Sequence, residues 1–178
     1  MKIPQETLNE ILELAATAPS AWNLQHWRFL VVQEQAGKER LLPIAYGQQQ
    51  VVDAPVVIIV LGDLQANLSA PEVYANAPAQ VQDSMISQID GAYRNTRLAR
   101  DEAIRNSSLA AMQLMLAAKA KGYDTVPMGG FDHSALVQAL HIPDRYIPVL
   151  MLAMGEAEAP GRATKRFPLS KSVINESF

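Results

Sequence analysis

Apolar residues recur at Leu8, Ile11, Leu12 and Ala15, the spacing of one helix face, and Pro19 and Ser20 end that pattern. From Trp27 the chain reads Trp-Arg-Phe-Leu-Val-Val, aromatic and β-branched, which predicts a strand over 27–33. Residues 36–46 predict a short polar helix or turn. The continuous apolar run Val56 to Leu61 predicts a strand buried on both faces. In 63–96, Pro71, Pro78 and the run Ala-Asn-Ala-Pro-Ala-Gln predict loop. A weak helix follows over Val81 to Tyr93, with Met85, Ile86 and Ile89 on one side.

Arg97 to Lys121 is the strongest helix, rich in good helix formers, with Leu109, Met112, Leu116 and Ala120 at helical spacing. Gly122 is placed to close it. Its middle, Ser108 to Ala118, is apolar nearly all round, which predicts burial on several sides. Asp132 is placed to cap a helix over Ser134 to Leu140, and Ile147 to Gly155 predicts a second buried strand. The expected fold is α+β. A mixed, mainly antiparallel sheet from segments 27–33, 55–61, 124–127 and 147–154 is flanked by helices, in one domain spanning 1–178.

Composition narrows the function. Apolar residues at 49% against 19% charged support a core and argue against disorder. A net charge of −3 and a pI near 5.6 argue against nucleic acid or an anionic membrane as the main partner. With no cysteine, disulfides, thiolate nucleophiles and Cys-ligated metals are excluded. No apolar run is long enough to span a bilayer, and residues 1–20 lack the pattern of a signal peptide. The cytoplasm is the expected compartment.

The richest chemistry lies in the joint between the first helix and the first strand, Ala18 to Phe29. Ser20, Asn23 and Gln25 can donate and accept hydrogen bonds, and Trp22, His26 and Trp27 are flat rings. The mixture suits a planar, polar-edged ligand, although Pro, Ser and Asn here also serve simply to turn the chain. A second stretch, Pro127-Met128-Gly129-Gly130, implies a backbone that bends tightly and comes close to something. Ser20, His26 and Asp53 invite comparison with a hydrolase triad, but no G-x-S-x-G elbow exists. His26, His133 and His141 lack metal-ligand spacing and are expected at surface or turn positions.

The stretch from Ala18 to Phe29 resembles the flavin-binding loop of the nitroreductase family, A-P-S-x-x-N-x-Q-x-W-x-F. Ala18, Pro19, Ser20, Asn23, Gln25, Trp27 and Phe29 match, and His26 stands where the family usually has Pro. Gly122, Pro127, Gly130, Phe131 and Asp132 fit the family's G-x-x-x-x-P-x-x-G-F-D stretch. Asp53-Ala54-Pro55 resembles its x-D-A-P strand entrance, and Lys165-Arg166-Phe167-Pro168-Leu169 its basic tail.

The resemblance implies an FMN enzyme that is a homodimer, with active sites at the subunit interface and the long helix in the dimer core. Pro19, Ser20, Ala21, Asn23 and Gln25 would line the flavin of the partner subunit. Gln48 and Gln50 would meet its pyrimidine and ribityl side. Pro127, Met128, Gly129 and Gly130 would pass beside it, with the Gly129 N–H at flavin N5. Lys165 and Arg166 would meet the phosphate. Residues 63–96 would be a variable excursion that shapes the substrate mouth.

The implied activity is a ping-pong transfer of hydride from NAD(P)H, through flavin N5, to a nitroaromatic, quinone or similar acceptor. No side chain need act as acid or base, because the cofactor carries the chemistry. The competing expectation is a flavin-binding or vestigial homodimeric module without turnover. In the family an R-R-S-x-R motif on an earlier helical segment also holds the phosphate, and these 178 residues contain none. They are expected to hold FMN several kcal/mol less tightly than a relative carrying it, at roughly 1.5–3 kcal/mol per charge-assisted contact. Fluorescence titration with and without a grafted motif tests this.

Overall fold

A computed structural model describes residues 2–178. In chain order the elements are α1 (Gln5–Ala15), β1 (Trp27–Val32), α2 (Gln35–Ile44), α3 (Gln50–Asp53), β2 (Val56–Asp63), α4 (Ala70–Val73), α5 (Ala79–Tyr93), α6 (Thr96–Ala120), β3 (Asp124–Met128), α7 (His133–Ala139) and β4 (Tyr146–Gly155). The strands form one four-stranded sheet in the order β1-β2-β4-β3. All three pairings are antiparallel, so the expected mixed character is absent among the described residues.

Every residue of β2 is buried. Val57, Ile59 and Leu61 join a core with Leu41, Ile44 and Val51 on one face, and Phe131 and Leu136 close that layer. Val56, Ile58 and Val60 join the other core with Leu8 and Ile11 of α1 and Ala111, Leu114 and Ala118 of α6. Both faces of the strand are thus covered, which is why it reads as an unbroken apolar run. At its end, a Cβ on Gly62 would lie 2.8 Å from the Ala103 carbonyl oxygen. The glycine lets α6 lie directly on the sheet.

The long helix starts where Asn95 caps it, its side chain accepting from the Arg97 and Leu98 N–H groups. It stops before Gly122, whose φ of 87° is open to glycine at low cost. Its buried stripe is not the expected one. Small residues and Leu114 face the sheet, while Leu109, Met112 and Leu116 are 44%, 50% and 57% exposed. The expected burial on several sides is therefore not met within one chain.

Residues 63–96 are more helical than expected. Pro71 lies in the first turn of α4 and Pro78 sits at the N-cap of α5, so the two prolines start helices instead of marking loop. Ile89 and Tyr93 of α5 pack with Leu24 and Trp22 of the α1–β1 joint in a satellite core. Beyond β4, residues 156–178 are exposed throughout.

Candidate functional site

The α1–β1 joint is tightly specified. Trp22, Asn23 and Gln25 all take left-handed φ values, of 51°, 55° and 48°. Such conformations cost about 1–3 kcal/mol each in non-glycine residues and persist only where the surroundings hold them. Here the Ala21 N–H donates to Asn106 Oδ1 at 2.8 Å. Asn106 is buried on α6, and its own amide donates to the Glu102 carbonyl and carboxylate at 2.7 and 2.8 Å. The Gln25 N–H donates to Ser20 Oγ at 3.0 Å, and the Gln25 side-chain amide donates to the Asn23 carbonyl at 3.1 Å. Asn23 and Gln25 remain exposed.

His26 follows directly, and it is buried, not at the surface as expected. Its Nε2 lies 2.6 Å from the Tyr93 hydroxyl, while Nδ1 has no partner among the described residues. Burial holds the ring neutral, lowering its pKa to about 4, with Arg28 acting the same way and the Glu102 and Asp63 carboxylates opposing. Burial likewise pushes the Tyr93 hydroxyl up, with the same two carboxylates adding to it.

A stability prediction follows. In the unfolded chain a histidine binds a proton near pH 6.5. The folded chain resists protonation of His26 until about pH 4. Between those values the unfolded state takes up more protons, so stability falls as the pH drops through the window. The full loss is about 3 kcal/mol, at roughly 1.4 kcal/mol for each pH unit of separation. Urea unfolding of wild type and His26→Gln between pH 7 and 4 checks this. The variant is expected to lose that part of the slope.

Gln48 and Gln50, at the start of α3, come together with the Met128–Gly130 segment. The Gln48 amide donates to the Gly130 carbonyl at 2.9 Å and to the Ala45 carbonyl at 3.0 Å. The Gln50 amide is held only by long contacts, 3.4 Å to Gln48 Oε1 and 3.5 Å to Met128 Sδ. It is the freer donor of the two. The C-terminal end of α3 is fixed by Lys38, a buried lysine whose Nζ donates to the carbonyls of Val52 and Ala54 at 3.0 and 2.6 Å. Lys38 has no signature in sequence, being one cation in a polar helix.

The Gly129–Gly130 pair is not a tight left-handed turn. Neither residue has a positive φ, and a Cβ on either would meet nothing within 4 Å. Protein packing therefore does not require glycine there. Close approach of a ligand to the backbone does supply a reason. Asp132 caps α7 as expected, accepting from the Ala135 N–H at 2.9 Å.

Two cavities border this neighbourhood. One, of about 610 Å³, lies between Arg100 and Ile104 of α6, His133 and Val137 of α7, and the β4 stretch at Tyr146 and Pro148. The other, of about 690 Å³, lies beside Gln50, Tyr123 and Val126 and is lined by carboxylates at Asp53, Asp124, Glu156 and Glu158. A phosphate would be repelled from the second. Lys165 and Arg166 do not join the cluster. They lie in the exposed tail, where Arg166 bonds only Thr164 Oγ1, at 2.7 Å.

The Ser20–Gln25 loop does not meet the Gln48–Gly130 cluster within one chain. The loop leads into β1 at one edge of the sheet, and Gly129 follows β3 at the other. Three strand spacings separate those edges, roughly 14 Å. The imagined triad is not assembled either. Ser20 Oγ accepts from Gln25, His26 meets Tyr93, and Asp53 accepts from the Gln49 amide.

Sequence reading also missed Asp63 and Arg145. Asp63 is buried and takes a bidentate pair from Arg145, at 2.8 and 2.7 Å, with Arg28 at 3.6 Å. Its Oδ1 also accepts the Gln65 N–H at 2.9 Å, which anchors the start of the excursion.

Comparison with known proteins shows the family. A model described as "Nitroreductase family" matches residues 1–156, and the chain belongs to that family. It is 47% identical over 175 residues to "Putative NAD(P)H nitroreductase YodC" of Bacillus subtilis (strain 168), covering 95% of this chain and 87% of the relative. A crystal structure of a "putative nitroreductase in complex with FMN" from Exiguobacterium sibiricum 255-15 is 38% identical. It superposes with a TM-score of 0.90 over 98% of this chain and 88% of the other. The "CLA biosynthesis enone reductase" of Lactiplantibacillus plantarum is 30% identical, over 94% of this chain and 82% of the relative. No helix among the described residues is long and apolar enough to cross a membrane.

Proposed function

We propose that this chain is an FMN-dependent oxidoreductase that moves hydride from NAD(P)H to a nitroaromatic, quinone or similar acceptor in a ping-pong cycle. The observation that carries the reading is the meeting of Gln48 and Gln50 with a glycine pair whose backbone faces open space. The fit to FMN is good at the ring. A flat, polar-edged isoalloxazine needs amide partners at its pyrimidine side and a backbone that admits close approach. Gln50 and Gly129–Gly130 offer both. FMN, when bound, supplies the atom N5 that accepts and then donates the hydride.

The chain's own residues bind and orient. The Gly129 N–H is the donor assigned to N5. Gln50 serves the pyrimidine edge, and Gln48, committed to the Gly130 carbonyl, holds the Met128–Gly130 segment in place. Pro19, Ser20, Ala21, Asn23 and Gln25 form the opposite wall. Lys165 and Arg166, on the exposed tail apart from this cluster within one chain, would be the phosphate cations, because charge-assisted hydrogen bonds best match a dianion.

Completing this site takes two copies of the chain. The opposite wall lies at the far sheet edge, so it serves a flavin held by the partner subunit. The exposed stripe of Leu109, Met112 and Leu116 supports a homodimer packed through α6. Phe167 and Leu169, 71% and 75% exposed in the tail, gain apolar cover the same way. Sedimentation and an absorption spectrum test the reading together: a dimer with flavin bands that bleach on anaerobic addition of NAD(P)H is expected. A monomer, or a protein that stays colourless with added FMN, would overturn it.

A further inference from the structure

The function proposed above leaves His26 without a task, although it sits between two residues of the flavin loop's own pattern. Beyond its internal bonds and the Arg28 guanidinium of β1, which donates to the Gln25 carbonyl at 3.2 Å, the loop is tied down at four points among the described residues. Two reach the frame of the fold: the Ala21 N–H to Asn106 of α6, and the His26 carbonyl, which accepts the Asp63 N–H at 2.7 Å. Two reach the excursion: His26 Nε2 to the Tyr93 hydroxyl at 2.6 Å, and the Tyr74 hydroxyl to the Trp22 carbonyl at 3.5 Å. The first of these is short and fully buried. The second is at the limit of a hydrogen bond.

Tyr93 touches the loop twice. Its ring lies 6.4 Å from that of His26, nearly parallel, and 6.4 Å from that of Trp22, tilted by 58°. It is also the last residue of α5, a rigid rod of 15 residues. Such a helix is roughly 22 Å long, so a shift at Tyr93 is carried along its whole length. Among the described residues, the buried hydroxyl–imidazole bond is the one direct polar fastening of α5 to the loop, at His26, the residue after left-handed Gln25.

We propose that His26 and Tyr93 are a positioning pair that locks α5 to the Ser20–Gln25 loop, so that the excursion fixes how the electron acceptor reaches the flavin. The substrate half of this statement rests on the function proposed above. The mechanical half does not. Neither residue touches the reacting atoms. Their effect runs through Trp22 and the excursion.

The test uses the full chain and three variants. Tyr93→Phe removes only the hydroxyl, His26→Leu removes the bond from the other side, and His26→Gln offers an amide near the position of Nε2. Amide hydrogen exchange is the first readout. Tyr93→Phe and His26→Leu are expected to speed exchange in Trp22–Gln25 and in Ala79–Tyr93 together, by about tenfold, with β2 unchanged. His26→Gln is expected to stay close to wild type. In turnover with a bulky quinone, Tyr93→Phe is expected to shift KM several-fold with kcat within about twofold. Exchange that changes in neither segment or in only one, that rises equally in β2, or that is the same in His26→Gln and His26→Leu would overturn the pair. An unmoved KM, or a change confined to kcat, would overturn its role in acceptor access. A wild-type chain that reduces no quinone would sink the proposed function, and exchange would still decide the pair.

Discussion

Asp63→Ala is expected to destabilise the fold by about 3–5 kcal/mol, the usual cost of stripping one partner from a buried ion pair. The carboxylate is 1% exposed and takes both arms of the Arg145 guanidinium. Removing it leaves Arg145, whose side chain is only 29% exposed, without its counter-charge, and takes the acceptor from the Gln65 N–H. The Asp63 bond is also what holds the Arg145 pKa above its ordinary value. For a chain of this size the loss corresponds to a fall in Tm of roughly 10 °C. Thermal unfolding of the purified variant checks it. A loss below about 1 kcal/mol would mean that the pair gains little over its desolvation cost.

Gly129→Val is expected to separate binding from folding. A Cβ there meets no protein atom within 4 Å, and the backbone is not in the left-handed region. Stability should therefore stay within about 0.5 kcal/mol of wild type, as for substitutions in open space. The added carbons would occupy the ground proposed for the flavin ring. Loss of FMN affinity of at least 100-fold is expected, about 2.7 kcal/mol. Parallel urea unfolding and flavin titration make the comparison. A valine variant that binds FMN like wild type would show that the glycine pair is not the flavin platform. One that unfolds early would show that packing, not ligand approach, requires glycine there.

The parts of the fold that were legible in sequence are those whose apolar pattern answers to local rules. β2 and β4 announced themselves because both faces are covered. Gly122 and Asp132 closed and opened helices through backbone chemistry that acts within a few residues. The expected burial all around α6 failed within the chain for a physical reason: apolar residues at helical spacing do not say which of them meets the sheet, and here small residues and Leu114 do while Leu109, Met112 and Leu116 stay exposed. The excursion was hard to read because Pro71 and Pro78 start helices as readily as they break them.

The candidate site divides in the same way. Gln48, Gln50, Met128 and Gly130 do come together, and Ser20, Asn23 and Gln25 do form an ordered loop. What could not be read was the support beneath them. His26 finds Tyr93 across 67 positions, Asp63 finds Arg145 across 82, and Ala21 finds Asn106 across 85. A buried polar residue is recognised by its partner, and sequence alone does not display that pairing.

The most direct test of the proposed function is one spectrum. The purified protein, loaded with FMN, is recorded without oxygen before and after NADPH or NADH is added. Bleaching of the flavin bands, with recovery when a quinone follows, is the predicted result. Bound flavin whose bands persist with both nicotinamides would contradict the account and leave a flavin-binding protein without turnover.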